Sequence, residues 1–404
     1  MAKFKKKWRF VRATVTAILS TIGASLFFLN FQETEVLPLE KISANFVAER
    51  MQLMRNWFLT NARDGDTLPY FYDPADSSFQ KDNNIIRQLL TTQGIFALAR
   101  ELEDAELREV GEQNLAAVFR KYFKTEETPQ SSDGMLTFGF FEGNGKVKLG
   151  GAALGIIAIL EGELTEKYSE ELAALANFLE AMQQPNGSFQ TFYRPADFET
   201  NERFYSGEAL LAAARLFEFS GEAKWLDFVE RGFEYYRPKI TENFSPQFVP
   251  WHTMAYAEIF ERTGEQKYAD FIFWLNDELI AEMLEKNPIE PATLGRFYNS
   301  EKHAEYGPPH SSSTAVYVEG LTYAFETAEK IDDGERVKNY REAVRLGTRS
   351  LLQLQFTFEN SREFENPERL VGAIRRAVDR NEIRIDQIGH TANALPRMKK
   401  ILEK

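Results

Sequence analysis

The sequence contains no cysteine, only four histidines, and fewer cationic than anionic side chains. Without cysteine the 404-residue chain has no disulfide, no thiol nucleophile and no Cys-ligated zinc. It has 48 Lys and Arg against 61 Asp and Glu, and the resulting formal charge of −13 argues against a nucleic-acid partner. Phosphate-loop, dinucleotide-binding, zinc-protease and nucleophile-elbow motifs are also absent. We therefore expect no metal and no cofactor.

A single long uncharged run stands near the start of the chain. Residues Ala13–Phe31 carry no charge and follow a basic segment, residues 1–12. A run of this length is close to the roughly twenty residues that cross a bilayer, and a basic flank stays in the cytoplasm. This pattern predicts a transmembrane signal anchor at 13–31, a linker at 32–41 and a domain at 42–404 that faces the periplasm or the cell exterior. The alternative is a signal peptide cleaved near Ala24.

From about residue 42 onward, two kinds of helical pattern alternate. Amphipathic patterns, which are typical of surface helices, occur in Ile42–Leu59, Ala105–Phe123, Ser169–Met182, Ala223–Tyr236, Gln266–Ile280 and Arg336–Leu354. Between them lie segments that are apolar nearly all round and rich in Gly and Ala, namely Arg87–Arg100, Gly150–Leu160, Ser206–Phe217, His252–Phe260, Ser313–Phe325 and Gly389–Leu395. Such segments are expected to be packed on every side.

The chain also repeats itself. Leu216–Phe228 and Ile259–Phe271 share a Gly-Glu turn followed by Lys, an aromatic residue and Asp-Phe, which indicates repeated helix hairpins. Six outer and six inner helices close most simply into an all-α (α/α)6 barrel. The alternative, an open solenoid, would expose one face of each inner helix.

Loop length predicts where a site lies. Inner helices lead to the next outer helix through short turns, whereas six longer connections lead from outer to inner helices: Asp64–Asn83, Thr128–Lys146, Gln184–Tyr205, Lys239–Trp251, Pro288–Ser313 and Thr357–Asp386. In a toroid these loops share one rim, at the N-terminal ends of the inner helices. Long loops without secondary structure of their own are usually functional.

Titratable and aromatic residues concentrate at the same places. The catalytic candidates are Glu208, His252, Glu319, Asp386 and His390. The candidates for substrate binding are Arg87, Tyr72, Phe141, Tyr193, Tyr205, Trp251, Tyr298 and Arg384. Aromatic rings can stack on the C–H faces of sugars, and arginines can bind a carboxylate through two hydrogen bonds. The same aromatic residues could instead pack the loops onto the barrel.

Two of these residues lie four positions apart on the last inner helix. The spacing of Asp386 and His390 puts both side chains on one helix face. We expect this pair to face the central funnel and to hydrogen-bond directly or through one water. In the structural alternative, Asp386 only caps the helix by accepting amide hydrogens.

The segments "YSGEALLAAARLFEFSGEAKWLD" and "NEIRIDQIGHTANAL", with the "TGE-x-K-Y" hairpin turn, resemble the C-terminal domain of glucuronyl C5-epimerases and its bacterial relatives. N-acylglucosamine 2-epimerases and unsaturated glucuronyl hydrolases are more distant versions of the same (α/α)6 architecture. The resemblance covers nearly everything from about residue 42 on. It implies a carbohydrate-processing protein whose partner is a poly- or oligosaccharide, with uronic acid favoured.

The sequence is compatible with two chemistries and with one non-catalytic role. Hydrolysis would use two carboxyl groups from Glu208, Glu319 and Asp386. Epimerisation or lyase chemistry would need a base such as His390, His252 or Tyr205 beside a carboxylate. The alternative class is a glycan-binding or scaffold subunit with protein partners in an envelope complex.

Overall fold

The computed structural model describes residues 35–129, 134–198 and 200–404, and Leu37–Lys404 form one compact unit. Twelve long helices within these residues alternate between an outer and an inner layer. The outer helices are α1 (Ala44–Asn61), α3 (Ala105–Tyr122), α5 (Ser169–Ala181), α7 (Ala223–Glu242), α9 (Gln266–Met283) and α11 (Gly334–Gln353). The inner helices are α2 (Ile85–Leu102), α4 (Leu149–Glu161), α6 (Glu202–Ser220), α8 (Val249–Thr263), α10 (Ser311–Lys330) and α12 (Ile385–Glu403).

The inner helices form a closed ring. Each packs against the next inner helix, and α12 completes the ring by packing against α2. Each inner helix also packs against the outer helix that follows it in the chain, and α12 packs against α1. The predicted (α/α)6 barrel is therefore confirmed. The open solenoid is wrong because the first and last hairpins are in contact.

Small residues let the inner helices approach closely, which explains the Gly- and Ala-rich patterns. A Cβ atom added to Gly94 on α2 would lie 2.3 Å from the backbone oxygen of Gly389 on α12. On α10, a Cβ atom at Gly320 would lie 2.7 Å from Cα of Pro250 on α8. Any side chain larger than hydrogen would force these helices apart.

The expectation of an all-α chain needs one correction, because most of the loops at the rim form strands. A three-stranded sheet has the order β2–β1–β7, and a four-stranded sheet has the order β3–β4–β5–β6, with all neighbours antiparallel. The strands are β1 (Phe71–Asp73), β2 (Ser78–Phe79), β3 (Phe123–Pro129), β4 (Met135–Gly143), β5 (Lys146–Lys148), β6 (Phe192–Arg194) and β7 (Ile383–Arg384). Hydrogen bonds within the sheets satisfy backbone N–H and C=O groups of the loops, which lie outside the helices.

The remaining connections are short helical turns and coil. Short helices occupy Leu39–Lys41, Pro246–Phe248, Pro291–Thr293, His303–Tyr306, Phe358–Ser361 and Pro367–Arg369. Five of the six predicted long loops are long and lie at the N-terminal ends of the inner helices. The fourth is short, since α7 continues to Glu242 and only residues 243–248 separate it from α8.

The predicted membrane anchor, Ala13–Phe31, lies outside the described residues. Among the residues that are described, no helix has both the length and the apolar character needed to cross a bilayer.

Candidate functional site

The candidate site lies inside the inner ring, at the N-terminal ends of the inner helices. We call it the rim site and define it by six residues from five of these helices or the positions just before them: Arg87, Lys148, Glu208, Glu319, Asp386 and His390. The N-terminal end of a helix carries partial positive charge, so this end of the ring attracts anions.

Asp386 is held by two arginines. Arg384 donates two hydrogen bonds to its carboxylate, from Nε at 2.6 Å and from Nη2 at 2.8 Å, and Nε of Arg87 lies 3.1 Å from Oδ2. Burial alone would raise the pKa of Asp386, but the hydrogen bonds from Arg384 and the charge of Arg87 outweigh it and lower that pKa. Asp386 is therefore an ionised partner of two arginines, and not a helix cap.

His390 pairs with a residue on another helix. Its Nδ1 lies 2.9 Å from Oε2 of Glu319 on α10, and the other Glu319 oxygen accepts a hydrogen bond from Asn393. The direct bond to Asp386 that the sequence predicts is not made, because each of the two residues has a nearer partner. A carboxylate oxygen only accepts, so with Glu319 as a carboxylate Nδ1 is the donor in this contact.

The indole of Trp251 packs beside this histidine. The centroids of the two rings are 5.9 Å apart. The Cβ atom of Trp251 would lie 2.5 Å from a Cβ atom added to Gly207, the residue before Glu208. Trp251 therefore links the part of the site on α6 to the part on α12, and only 3% of its surface is exposed.

Glu208 is a buried carboxyl group without a hydrogen-bond partner for one oxygen. The residue is 4% exposed, and its Oε2 has no partner among the described residues. Oε2 lies against the backbone of Gly150 on α4, where an added Cβ atom would be only 2.3 Å away. Burial raises the pKa of Glu208 to about 8, and Lys148 only partly offsets this. Glu208 therefore holds a proton at neutral pH.

Tyr205 lies one helical turn before Glu208 and shares its environment. Its hydroxyl lies 3.5 Å from Nδ2 of Asn201. Burial, and then the neighbouring Glu208, raise the pKa of Tyr205 above its usual value, while the charge of Arg87 acts in the opposite direction. Tyr205 is therefore a neutral hydroxyl that can donate a hydrogen bond.

Sequence reasoning missed Lys148, which precedes α4. Burial lowers the pKa of Lys148, as do the charges of Lys146 and Arg87, whereas Glu208 raises it. The amino group of Lys148 is therefore close enough to Glu208 and Arg87 for their charges to change its pKa. The signal that could have found it is its position, since a lysine just before the apolar helix Leu149–Glu161 lies at the rim.

The structure separates His252 from the rim site. Its ring is fully buried, Nδ1 bonds to the Phe248 carbonyl oxygen at 2.9 Å, and Nε2 has no partner among the described residues. The rings of Tyr236 on α7 and Tyr256 on α8 are next to it. Burial lowers the pKa of His252 to about 4. The ring of His252 therefore belongs to the packing between the inner and outer layers.

Two of the predicted sugar platforms pack within the protein instead. The ring of Tyr72 lies 4.7 Å from that of Phe79 within one small sheet, and Tyr72 is buried. Phe141 is 2% exposed and packs against Phe119. Neither ring therefore offers a free face to a sugar.

Of the six aromatic residues predicted to bind substrate, Trp251 and Tyr205 are also buried, whereas Tyr193 and Tyr298 keep partly exposed surfaces on the rim. Tyr193 packs edge-on against Phe178, and its hydroxyl donates a hydrogen bond to Glu126. The hydroxyl of Tyr298 bonds to Nδ1 of His303, and the guanidinium of Arg296 lies 4.7 Å above its ring. These two tyrosines remain candidates for contact with a substrate.

In residues 35–129, 134–198 and 200–404, no group of three or more His, Asp or Glu side chains is placed to hold a metal ion. The chemistry of the rim site can be derived from its own acids, bases and cations.

Known structures share the fold. The chain superposes on the α-1,6-mannanase of Salegentibacter sp. HEL1_6 with a TM-score of 0.64 and 11% identity, over 88% of this chain and 99% of that chain. For the cellobiose 2-epimerase of Bacillus thermoamylovorans B4167 the TM-score is 0.62 with 12% identity, over 89% and 100%. For an unsaturated glucuronyl hydrolase specific for heparin it is 0.58 with 9% identity, over 89% and 98%.

No protein-family model matches the sequence, and no curated protein is significantly similar to it. The similarity to solved structures therefore establishes the architecture. The chain has the (α/α)6-barrel fold found in carbohydrate-processing enzymes.

Proposed function

We propose that the protein is a carbohydrate-processing enzyme that works by proton transfer at the rim site. The observation that carries the proposal is a buried carboxyl group, Glu208, whose Oε2 has no partner among the described residues, in the same ring as a histidine whose Nδ1 contacts Glu319. Two groups held in different protonation states are what acid–base catalysis requires. In this proposal, His390 Nε2 takes a proton from the sugar and Glu208 donates one.

The environment of each carboxyl group favours this chemistry over hydrolysis by two carboxylates. A glycoside hydrolase needs a second carboxylate that reaches water or the sugar. Asp386 is engaged by Arg384 and Arg87, and the side chain of Glu319 is 1% exposed and bonded to His390. Glu208 is the carboxyl group left without such partners. An epimerase or lyase reaction therefore fits these residues better.

The charge of the site supports an acidic sugar as the substrate. Arg87, Arg384 and Lys148 bring three cationic groups, and Asp386 neutralises one of them. The helix ends add partial positive charge. We infer that the glycan contains uronic acid, whose carboxylate would also acidify the neighbouring C–H bond that His390 attacks.

The test is incubation of the purified full-length protein with a panel of uronic-acid polysaccharides in D2O, followed by NMR and mass spectrometry. We expect deuterium at the carbon next to the carboxylate if the reaction is an epimerisation, and a C=C bond at that carbon if it is an elimination. Because acid–base groups contribute roughly 10²–10⁴-fold to rate, His390→Ala and Glu208→Gln should each lower turnover by at least about a hundredfold. The rate of the wild-type enzyme should fall as the pH rises past about 8, where Glu208 loses its proton.

The control is His252→Phe, which changes a histidine outside the rim site. New reducing ends with neither deuterium exchange nor a new C=C bond would indicate hydrolysis instead. Binding with no chemical change in any glycan would favour the alternative role, a glycan-binding or scaffold subunit of an envelope complex.

We further propose that residues Ala13–Phe31 anchor the enzyme in a membrane, with the barrel outside the cytoplasm. The uncharged run and its basic flank support this location. Mass analysis of the N-terminus of the mature protein tests it, and a chain that begins near Ser25 would indicate a cleaved signal peptide.

A further inference from the structure

A second pocket opens beside the rim site, between residues 284–310 and 354–384. Its volume is about 320 Å³, part of it open to solvent. The polar residues that line it are Thr293, Arg296, His310, Ser311, Thr314, Ser350 and Arg376. None of the residues that we assign to catalysis is among them.

Two hydrogen-bond donors in this pocket are unused. The half-buried Arg376 makes no hydrogen bond or ion pair through its side chain with any described residue. Ser311 is 2% exposed, and its buried Oγ has no partner within the described part of the chain. A buried hydroxyl without a partner costs free energy, so its retention in the lining of a pocket points to a ligand that accepts a hydrogen bond.

The electrostatic potential of the pocket favours a negative ligand. Arg296 is already neutralised by a two-pronged contact with Glu285, which leaves Arg376 as a cation without a counter-ion among the described residues. His310 stays uncharged at neutral pH, because burial and then the charges of Arg384, Arg376 and Arg87 lower its pKa to about 3, although Asp386 acts in the opposite direction. The charges of Arg384, Arg376 and Arg87 thus act on His310, which forms part of the pocket wall.

Hydrogen bonds connect this pocket to the rim site. Nδ1 of His310 lies 2.8 Å from Oγ of Ser312, which lies 3.3 Å from Nη2 of Arg384. Arg384 in turn holds Asp386. The pocket and the rim site are therefore neighbours that share one wall.

We propose that this pocket binds the anionic substituent, a carboxylate or a sulfate, of the sugar next to the one that reacts. The identity of the carrier as a glycan rests on the proposed function, whereas the affinity for an oxyanion does not. Arg376 would supply a two-pronged contact and Ser311 a third hydrogen bond.

Calorimetric titration of the full-length protein tests the proposal. The probes are sodium sulfate and sodium glucuronate at constant ionic strength, with glucose as the neutral probe. An Arg87→Met background weakens anion binding at the rim site, so that the pocket is measured. In this background, Arg376→Met should lower the affinity for the anions at least about tenfold, the loss expected for one charge-assisted hydrogen-bonded pair.

The matched control is Arg237→Met, which removes an exposed arginine from α7. Ser311→Ala is the second variant, and it should lower the affinity without a loss of thermal stability because the hydroxyl has no partner to lose. Equal affinities in the Arg376, Ser311 and Arg237 variants would overturn the proposal. A stronger effect on sulfate than on glucuronate would identify a sulfated sugar, and the reverse a uronate.

The same variants separate this proposal from the proposed function. His390→Ala should abolish turnover and leave the affinity of the pocket unchanged. If no glycan is converted but Arg376→Met loses anion affinity, the pocket stands and the proposed reaction fails. If turnover is found and Arg376→Met binds anions like the control, the pocket proposal fails alone.

Discussion

Glu208 and Asp386 are both buried carboxyl groups, yet their environments shift their pKa values in opposite directions. Asp386 has two arginines within hydrogen-bonding distance, so its ionised form is favoured. Glu208 has one oxygen without a partner in the described chain and only Lys148 as a nearby opposing charge, so its neutral form is favoured. For Asp386 two opposite charges in contact outweigh the cost of burial, whereas for Glu208 one opposite charge at longer range does not. The two residues can therefore take different roles.

The protonated state of Glu208 predicts how stability depends on pH. Between the ordinary pKa of 4.5 and the raised value of about 8, the folded chain keeps a proton that the unfolded chain has lost. The contribution of Glu208 to the free energy of unfolding therefore falls by about 1.4 kcal/mol for each pH unit as the pH rises through this interval. Glu208→Gln, which cannot ionise, should become steadily more stable than the wild type between pH 5 and pH 8. Chemical denaturation at each pH measures the difference, and a constant difference would contradict the neutral state.

His252 allows a second prediction at this scale. Its folded pKa of about 4 lies below the ordinary 6.5, so its contribution to stability is complete above pH 6.5 and is lost as pH falls through 4. His252→Phe keeps the aromatic packing and removes the unpartnered Nε2. We expect this variant to resist acid unfolding better than the wild type and to keep full turnover. Thermal unfolding from pH 4 to pH 7 is the measurement, and a loss of turnover in a folded variant would return His252 to the catalytic residues.

Sequence spacing could predict the face on which a residue lies but not its partner. The four-residue interval between Asp386 and His390 correctly placed both on one face of α12, because helix geometry is local. Their partners come from elsewhere, Glu319 on α10 and Arg87 on α2. The choice among partners depends on how the ring closes, which no local pattern contains. For the same reason the apolar helix of His252 did not reveal that its ring points towards Tyr236 in the outer layer.

At the scale of elements, the position of α12 beside α2 depends on two glycines. A Cβ atom at Gly94 would meet a backbone oxygen of Gly389, which cannot rotate away as a side chain could. Gly94→Ala should therefore separate the helices and lower the free energy of unfolding by about 1–3 kcal/mol. The control is Gly334→Ala at the start of α11, where nothing lies within 4 Å of the added atom. It should be neutral or stabilise by up to about 1 kcal/mol, and equal effects of the two substitutions on denaturation midpoints would refute the close contact.

Helix order was predictable from hydrophobic patterns, whereas the strands at the rim were not. The inner segments are apolar all round and the outer ones on one face, and both patterns are visible over a dozen residues. By contrast, β1 pairs with β7, which brings Tyr72 opposite Ile383 across most of the chain. Strands of two or three residues have no periodicity to detect, and their pairing exists only after the barrel has closed.

At the scale of the whole molecule, the two ends of the barrel differ in charge and in access. The rim end presents helix N-termini and uncompensated cations. At the other end, polar side chains of five inner helices contact one another. Arg215 on α6 contacts Glu161 on α4, Glu258 on α8 and Tyr323 on α10. Arg397 on α12 contacts Glu326 on α10. The guanidinium of Arg397 also lies 3.8 Å over the ring of Tyr323. These contacts close that end of the ring.

Arg215 is the centre of this closure. Its Nη1 lies 2.7 Å from Glu161 and its Nε 3.1 Å from Glu258, and the side chains of Arg215, Glu161 and Glu258 are 11%, 12% and 17% exposed. Burial raises the pKa of Glu258 even with Arg215 beside it, whereas the charges of Arg215 and Arg100 lower that of Glu161. The arginine thus compensates two buried carboxyl groups at once.

Removing the charge of Arg215 alone should lower the free energy of unfolding far more than removing the charges of all three residues. Arg215→Met leaves two carboxylates buried without their main counter-ion, which costs about 3–5 kcal/mol for a buried pair that loses one partner. The triple variant Glu161→Gln, Arg215→Met, Glu258→Gln has no such charge and should recover most of the loss, because a neutral set of similar shape needs no counter-ion. Denaturant titration of the three proteins measures both differences. Turnover per folded molecule should stay unchanged in each variant, since Arg215 lies about two helical turns, roughly 10 Å along the axis, beyond Glu208 on α6. A triple variant no more stable than Arg215→Met would mean that the ion pairs themselves hold the six hairpins in register.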